Sequence, residues 1–347
     1  MLCMNIDYSN SKFKLPSNGG KLYKIRCLAG FTGDRLHVVD WFTAKDSFRQ
    51  IILRAKHMRQ VHTEKMANVV KAVLIGMGVM LVGTIPRNIL YYLNWRGYSD
   101  LPWAILPLAI YFWFFWQYLN GKGPPASTSA LRRQTLRANS LPGVLWGWSL
   151  LAGALGLVTL VIALRLLNRL VELPTQELPD WWSTIPAFTI ATLMLVGAPI
   201  AGLIEESAFR GYMQGPIEKE YGIVVAILIT GTMFAVAHLD FTLILWPYYV
   251  AVAGIYGMVT WLTNSILPAM VLHTIGNIYS NTYLMVYGRA EWQAPAGQAQ
   301  LIWTDSADSS FWYSIMALVI SAIAMVWAYV RLARAAKGSA KTGELLH

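Results

Sequence analysis

From residue 67 onward, apolar positions dominate in eight runs of about twenty residues: 67–85, 101–119, 142–164, 184–204, 222–238, 243–263, 266–285 and 312–330. About 20 apolar residues are needed to cross a hydrocarbon core as an α-helix, and a lone segment in lipid can satisfy its backbone groups only by coiling. The pattern predicts an all-α fold, a polytopic membrane bundle of about eight transmembrane helices enclosing a polar cavity. The stretch 222–263 is the least punctuated. Asp240, its one acid, and Pro247 mark the expected break between the fifth and sixth helices.

Three regions follow from this layout. Residues 1–65 form a basic arm, 66–333 the eight-helix membrane domain, and 334–347 a tail expected to be disordered. Pro16, Gly19 and Gly20 leave the first half of the arm loosely ordered, whereas 44–65 predicts a basic interfacial helix with Phe48, Ile51, Ile52 and Leu53 on its apolar side. The polar stretch 121–140, rich in Ser, Pro and Ala, reads as a loop on the basic side. The stretch 288–310, with Pro295, Gly297 and three acids, reads as a loop on the opposite side. No repeat of solenoid or propeller period is present.

Composition agrees: 56% of residues are hydrophobic and 13% charged, against about a quarter charged in soluble domains. The net charge of +10 would fit nucleic acid, but its distribution points elsewhere. Twenty-two basic residues lie before the first run, between the second and third, after the fourth and in the tail. Five (Arg87, Arg96, Arg165, Arg169, Arg289) lie on the alternate side, and Lys71 sits inside the first run. The positive-inside rule then puts both termini in the cytoplasm, with a bacterial plasma membrane as the expected setting and contact with anionic lipid rather than nucleic acid. No cleavable signal precedes the first run, and Met58 or Met66 could equally begin a complete membrane domain. Cys3 and Cys27, the only two cysteines, are expected to be free thiols. Trp95, Trp103, Trp116, Trp146, Trp148, Trp181, Trp182, Trp303 and Trp312 fall near run ends, as an interfacial aromatic belt requires.

Against this background five polar residues stand out: Glu205, Glu206, His238, His273 and Asn277. Ionisable groups at membrane depth cost about 2.5 kcal/mol or more each on insertion scales, which makes them functional candidates. In Glu205-Glu206-Ser207-Ala208-Phe209-Arg210 the second glutamate and the arginine are four apart and share a helical face, so they can pair. Glu205 points about 100° away, free to face a cavity, where a carboxylate suits a general base acting on water. The plainer reading is two acids and an arginine at a helix end. His238 closes Phe234-Ala235-Val236-Ala237-His238, and a histidine at a helix end is often only a satisfied polar group. His273 and Asn277, four apart around Gly276, present two polar groups to one point, or else hydrogen-bond between helices. Because Glu205 lies at one end of its run and His238 at the far end of the next, the two can meet only if the fourth helix continues to Gln214.

EExxxR, then FxxxH, then HxxxN, in this order on consecutive intramembrane segments, resembles the CPBP family of CAAX proteases and bacteriocin-processing enzymes (the Abi family), which includes the CAAX prenyl endopeptidase. The likeness covers 184–285. It implies an intramembrane endopeptidase that hydrolyses a peptide bond of a membrane-associated, prenylated or leader-type peptide. By this resemblance Glu205 activates the water, assisted by His238, His273 and Asn277 stabilise the oxyanion, and Glu206 and Arg210 support the geometry. No cofactor is expected. A catalytic zinc on Glu205, His238 and His273 is the alternative, although no HExxH is present. The partners expected are a peptide or protein substrate and the bilayer. The competing functions are a non-proteolytic scaffold, a bacteriocin-immunity protein or a regulator, and an acid–histidine carrier, for which inverted repeats are lacking. Serine and aspartyl intramembrane chemistry are disfavoured: no GxSx-type nucleophile is present, and Asp240 is the only aspartate of the core.

Overall fold

A computed structural model of the chain describes residues 41–97, 100–173, 184–239, 242–293 and 301–342. Cys3, Cys27, Trp181, Trp182, Asp240, Pro295 and Gly297 lie outside the described residues. The chain divides into two compact units, Met1–Val61 and His62–His347. In the first, the described residues open helix α1, Trp41–Arg96, which takes in the helix expected over 44–65.

In the second unit α1 continues and is followed by α2 (Ile105–Leu119), α3 (Ser129–Leu136), α4 (Gly143–Leu170), α5 (Ala187–Glu205), a π-helical segment (Glu206–Gln214), α6 (Gly215–Ala237), α7 (Trp246–Thr263), α8 (Leu267–Tyr287), α9 (Ile302–Asp305) and α10 (Ser309–Thr342). Among the described residues there is no strand, and all eight apolar runs are helical apart from short ends. Among the described residues, five helical stretches are long and apolar enough to cross a membrane: Ile52–Arg96, Gly143–Leu170, Ala187–Ala237, Leu243–Thr263 and Ser309–Ala340. The fourth and fifth runs share Ala187–Ala237, and α2 is a shorter apolar helix. The chain is therefore a helical polytopic membrane protein. Large apolar side chains stay exposed along α1 (Leu74, Leu81, Val82, Ile85), α2 (Leu106, Trp113, Phe114) and α10 (Met316, Ile320, Ile323), as lipid contact requires.

Proline and left-handed residues punctuate the helices. Pro142 and Pro186 cap α4 and α5, and Pro216, Pro247 and Pro268 occupy the first turn of α6, α7 and α8. There the missing N–H is no loss, because first-turn amides have no intrahelical partner. Asn264 (φ 51°) ends α7 and Gly288 (φ 67°) ends α8 in left-handed conformations. Within α6, Gly222 takes φ 81°, ψ 171°, a conformation open only to glycine, so the helix breaks where the fifth run was expected to begin. The break expected near Asp240 and Pro247 falls between Ala237 and Trp246.

Three loop assignments need correction. The stretch 121–140 carries α3, whose inner face buries Arg132 and Leu136. The loop over 288–310 contains α9 and the first turn of α10. The tail expected to be disordered from 334 is instead helical through Thr342, because small and basic residues there carry on the preceding apolar helix without a breaker.

Candidate active site

The fourth apolar run does not stop at its apolar limit. The chain stays helical through Glu206–Gln214, but wound as a π-helix in which every residue is buried. A π-helical stretch is rare and is frequently found at functional sites. Glu205 and Glu206 straddle the change of winding and are both buried, as are Arg210 and Gln214. Gln214 fixes the far end by donating to Glu218 Oε2 (3.1 Å) and to the Gly257 carbonyl (3.0 Å).

α8 brings His273 to this turn. Its Nδ1 lies 2.7 Å from Glu206 Oε1, and its Nε2 faces Glu205 Oε2 at 3.5 Å. Glu206 Oε1 also accepts from Arg210 Nη1 at 3.2 Å. The pairing expected between Glu206 and Arg210 is present. The division expected between the two glutamates is not, because both face the same imidazole. A π-helix turns less per residue than an α-helix, so neighbouring residues at its entry point more nearly the same way. Close packing of α5 on α8 sets the separation: a methyl group on Gly202 would come within 2.8 Å of Thr274 Oγ1 and 3.0 Å of the Met270 carbonyl.

An aromatic wall backs the charged groups. Tyr256 of α7 stacks on His273, with ring centroids 5.1 Å apart and planes 14° apart. The Arg210 guanidinium sits 5.2 Å from the Tyr256 centroid and 5.4 Å from that of Phe234. Cation–π attraction at such distances contributes most when the cation is desolvated. Arg210 Nε and Nη2 have no hydrogen-bond partner among the described residues, and ring faces lie beside the guanidinium. Glu205 Oε2 and Glu206 Oε2 are likewise buried without a hydrogen bond among the described residues. Buried acceptors of this kind are uncommon in native structures and call for a functional explanation.

His238 and Asn277 stand further out. His238 is exposed at the end of α6, its Nδ1 2.8 Å from the Phe234 carbonyl and its ring against Phe234 and Tyr249. That carbonyl can only accept, so Nδ1 carries the proton and Nε2 presents a lone pair. Phe234, the first residue of the FxxxH motif, links the two histidines: its ring centroid lies 4.6 Å from that of His238 and 6.2 Å from that of His273. Asn277, one turn beyond His273, is half-buried and makes no hydrogen bond among the described residues.

The zinc set Glu205, His238 and His273 does not assemble. Among the described residues no group of three or more His, Cys, Asp or Glu side chains is placed to hold a metal. Both nitrogens of His273 face carboxylates, and His238 Nδ1 is committed to its own helix. A catalytic zinc needs three protein ligands around one point. The residues present do not fit that group.

Sequence reasoning missed Tyr256, Gln214 and Arg137. Arg137 donates to Glu218 Oε1 and to the carbonyl of Arg210, tying α3 to the π-helical segment. None carries a motif signal: a tyrosine in an apolar helix and an arginine in a basic loop look ordinary until the fold brings them together.

Glu205, Glu206, Arg210 and His273 thus form one buried cluster inside a polytopic helical bundle. Residues 187–279 match the family model described as Rce1-like, type II CAAX prenyl endopeptidase Rce1-like. This segment, which holds all six site residues, is similar to the CAAX prenyl endopeptidases of that family model. No curated protein and no solved structure matches the chain.

Proposed function

We propose that the chain is an intramembrane endopeptidase that cleaves a membrane-associated, prenylated or leader-type peptide with water activated by Glu205 and without a metal. The observation that carries this reading is the 3.5 Å approach of Glu205 Oε2 to His273 Nε2, with Glu206 holding the opposite ring nitrogen. Glu205 takes a proton from water as that water adds to the scissile carbonyl, and His238 Nε2 assists as an acceptor. His273 in its cationic form gives one N–H to Glu206 and the other to the developing oxyanion. Asn277 supplies a second donor from its free amide. Donors fixed in advance inside a dry site stabilise such an oxyanion far better than water does. Glu205 then returns its proton to the departing amine, so the tetrahedral intermediate collapses to a carboxylate and a free amino terminus. Glu206 and Arg210 act on the substrate only through His273. The grouping of twenty-two basic residues on one side against five on the other supports a cytoplasmic location for both termini.

The test is cleavage by the full chain in lipid vesicles of a farnesylated peptide ending in three aliphatic residues and, separately, of a leader-type peptide, with products identified by mass spectrometry. Wild type is expected to release a new carboxyl terminus from at least one, and Glu205→Ala and His273→Ala from neither. A cellular phenotype that survives both substitutions would remove the protease reading and favour a scaffold.

A further inference from the structure

A cavity of about 1150 Å³ opens between α1, the end of α2, α3 and the start of α6. This exceeds the roughly 300–1,000 Å³ of pockets for drug-sized ligands. Its long wall is a stripe of α1 at helical spacing: Asn68, Lys71, Ala72, Ile75, Gly78, Val79 and Val82. Polarity falls steadily along this stripe, from an amide and an ammonium at one end to aliphatic side chains at the other. From Asn68 to Val82 it extends about 21 Å at a helical rise of about 1.5 Å per residue, while one leaflet's hydrocarbon is about 15 Å deep. The wall is therefore long enough to carry a head group and the chain below it.

The polar end is cationic. Lys71, Arg132, Arg133, Arg137 and Lys219 line it against Glu218 and Glu220. Glu218 is paired with Arg137, and Glu220 accepts from Asn68 at 2.9 Å. Lys71, Arg133 and Lys219 are exposed and have no partner among the described residues. Arg132 and Arg137 are more than nine-tenths buried, and the Nε of each lacks an acceptor among the described residues. A lysine with no ion pair among the described residues, two buried arginines whose Nε has no acceptor among them and an apolar trough below point to an anionic amphiphile.

We propose that this cavity binds one anionic phospholipid, the phosphate among Lys71, Arg133 and Lys219 and an acyl chain along Ile75, Gly78, Val79 and Val82. A methyl group added at Gly78 would meet nothing within 4 Å, so the stripe has a notch beside the chain's path. The site is separate from the proposed peptidase chemistry and stands whether or not that reading holds.

The test uses the full chain in an uncharged detergent, titrated with dioleoylphosphatidylglycerol, with dioleoylphosphatidylcholine or with inorganic phosphate, reading the thermal midpoint and lipid adducts by native mass spectrometry. Wild type is expected to bind one phosphatidylglycerol and to be stabilised by it, but not by phosphatidylcholine or phosphate at equal concentration. The triple variant Lys71→Ala/Arg133→Ala/Lys219→Ala is expected to lose affinity about tenfold or more, since each basic residue near an anionic surface contributes about 1 kcal/mol, about fivefold. Gly78→Trp fills the trough, leaves the charges intact and is expected to abolish the adduct. An equal response to phosphatidylcholine or to phosphate, no response of wild type, or wild-type binding by either variant would overturn the proposal.

Discussion

His273 and Glu206 are joined by a 2.7 Å contact between Nδ1 and Oε1, deep in the bundle, and this contact aims the other imidazole nitrogen at Glu205. Glu206 Oε1 meets both Arg210 and His273, so its charge is shared between a fixed cation and an imidazole.

Removing one member of the Glu206–Arg210 pair should therefore harm the fold more than removing both. Arg210→Met leaves Glu206 as a buried carboxylate without its cation, and Glu206→Gln leaves a buried guanidinium; each is expected to cost about 3–5 kcal/mol. The double variant should recover much of that loss. Unfolding in denaturant of the four proteins of this cycle measures the coupling, and additive losses would contradict it.

Gly202→Ala tests how tightly α5 must sit on α8. The added methyl would lie against Thr274 Oγ1 and the Met270 carbonyl, both contacts being too close to keep. Overpacking of this kind costs about 1–3 kcal/mol, and displacing a reacting group by about 1 Å can cost about 10²-fold in rate. The variant should fold and cleave poorly, with the loss in kcat. Wild-type kcat would show that the separation of Glu205 from His273 is not set there.

Metal removal separates the two chemistries considered for this donor set. Prolonged chelation followed by added zinc should leave the cleavage rate of the wild-type chain unchanged. Loss on chelation and recovery with zinc would mean that His238 and His273 come together in a conformation other than this one.

Asp308 gives the acid limb of stability a specific contribution. Its carboxylate accepts from the Phe311 amide at 3.0 Å, from the Ser310 hydroxyl and from Arg169, and caps α10. The Phe311 amide first, then Ser310, hold its carboxyl below the usual carboxylate value. A lowered folded-state pKa means the stabilisation is complete above the unfolded value, near 3.8, and is lost as pH falls through the folded one. Asp308→Ala should lower the thermal midpoint at neutral pH, and its gap from wild type should close as pH falls below about 4. A constant gap would contradict this.

Much of this protein was legible in its sequence, for reasons tied to particular residues. Apolar runs in lipid leave the backbone no alternative to helix, and Gly222 and Pro247 mark breaks that the chain uses. The spacing of Glu206 and Arg210 foretold their ion pair, and the continuation of the fourth helix to Gln214 followed from requiring Glu205 to reach a site. The π winding was hidden, because it depends on α3, α7 and α8 packing around residues whose local propensities are ordinary. Tyr256 and Arg137 were hidden for the same reason: stacking on His273 and donation to the Arg210 carbonyl are long-range contacts without a periodic signature. The lost α3 shows the opposite error, a polar segment read as loop although its buried face is only Arg132 and Leu136.

The most direct test of the account is the single-turnover cleavage rate of Glu205→Gln, an almost isosteric change at a residue whose one ion pair among the described residues is with His273. The expected result is a folded chain with a wild-type thermal midpoint that cleaves about 10²–10⁴-fold more slowly, the contribution of a general base. A rate within a few-fold of wild type would contradict it.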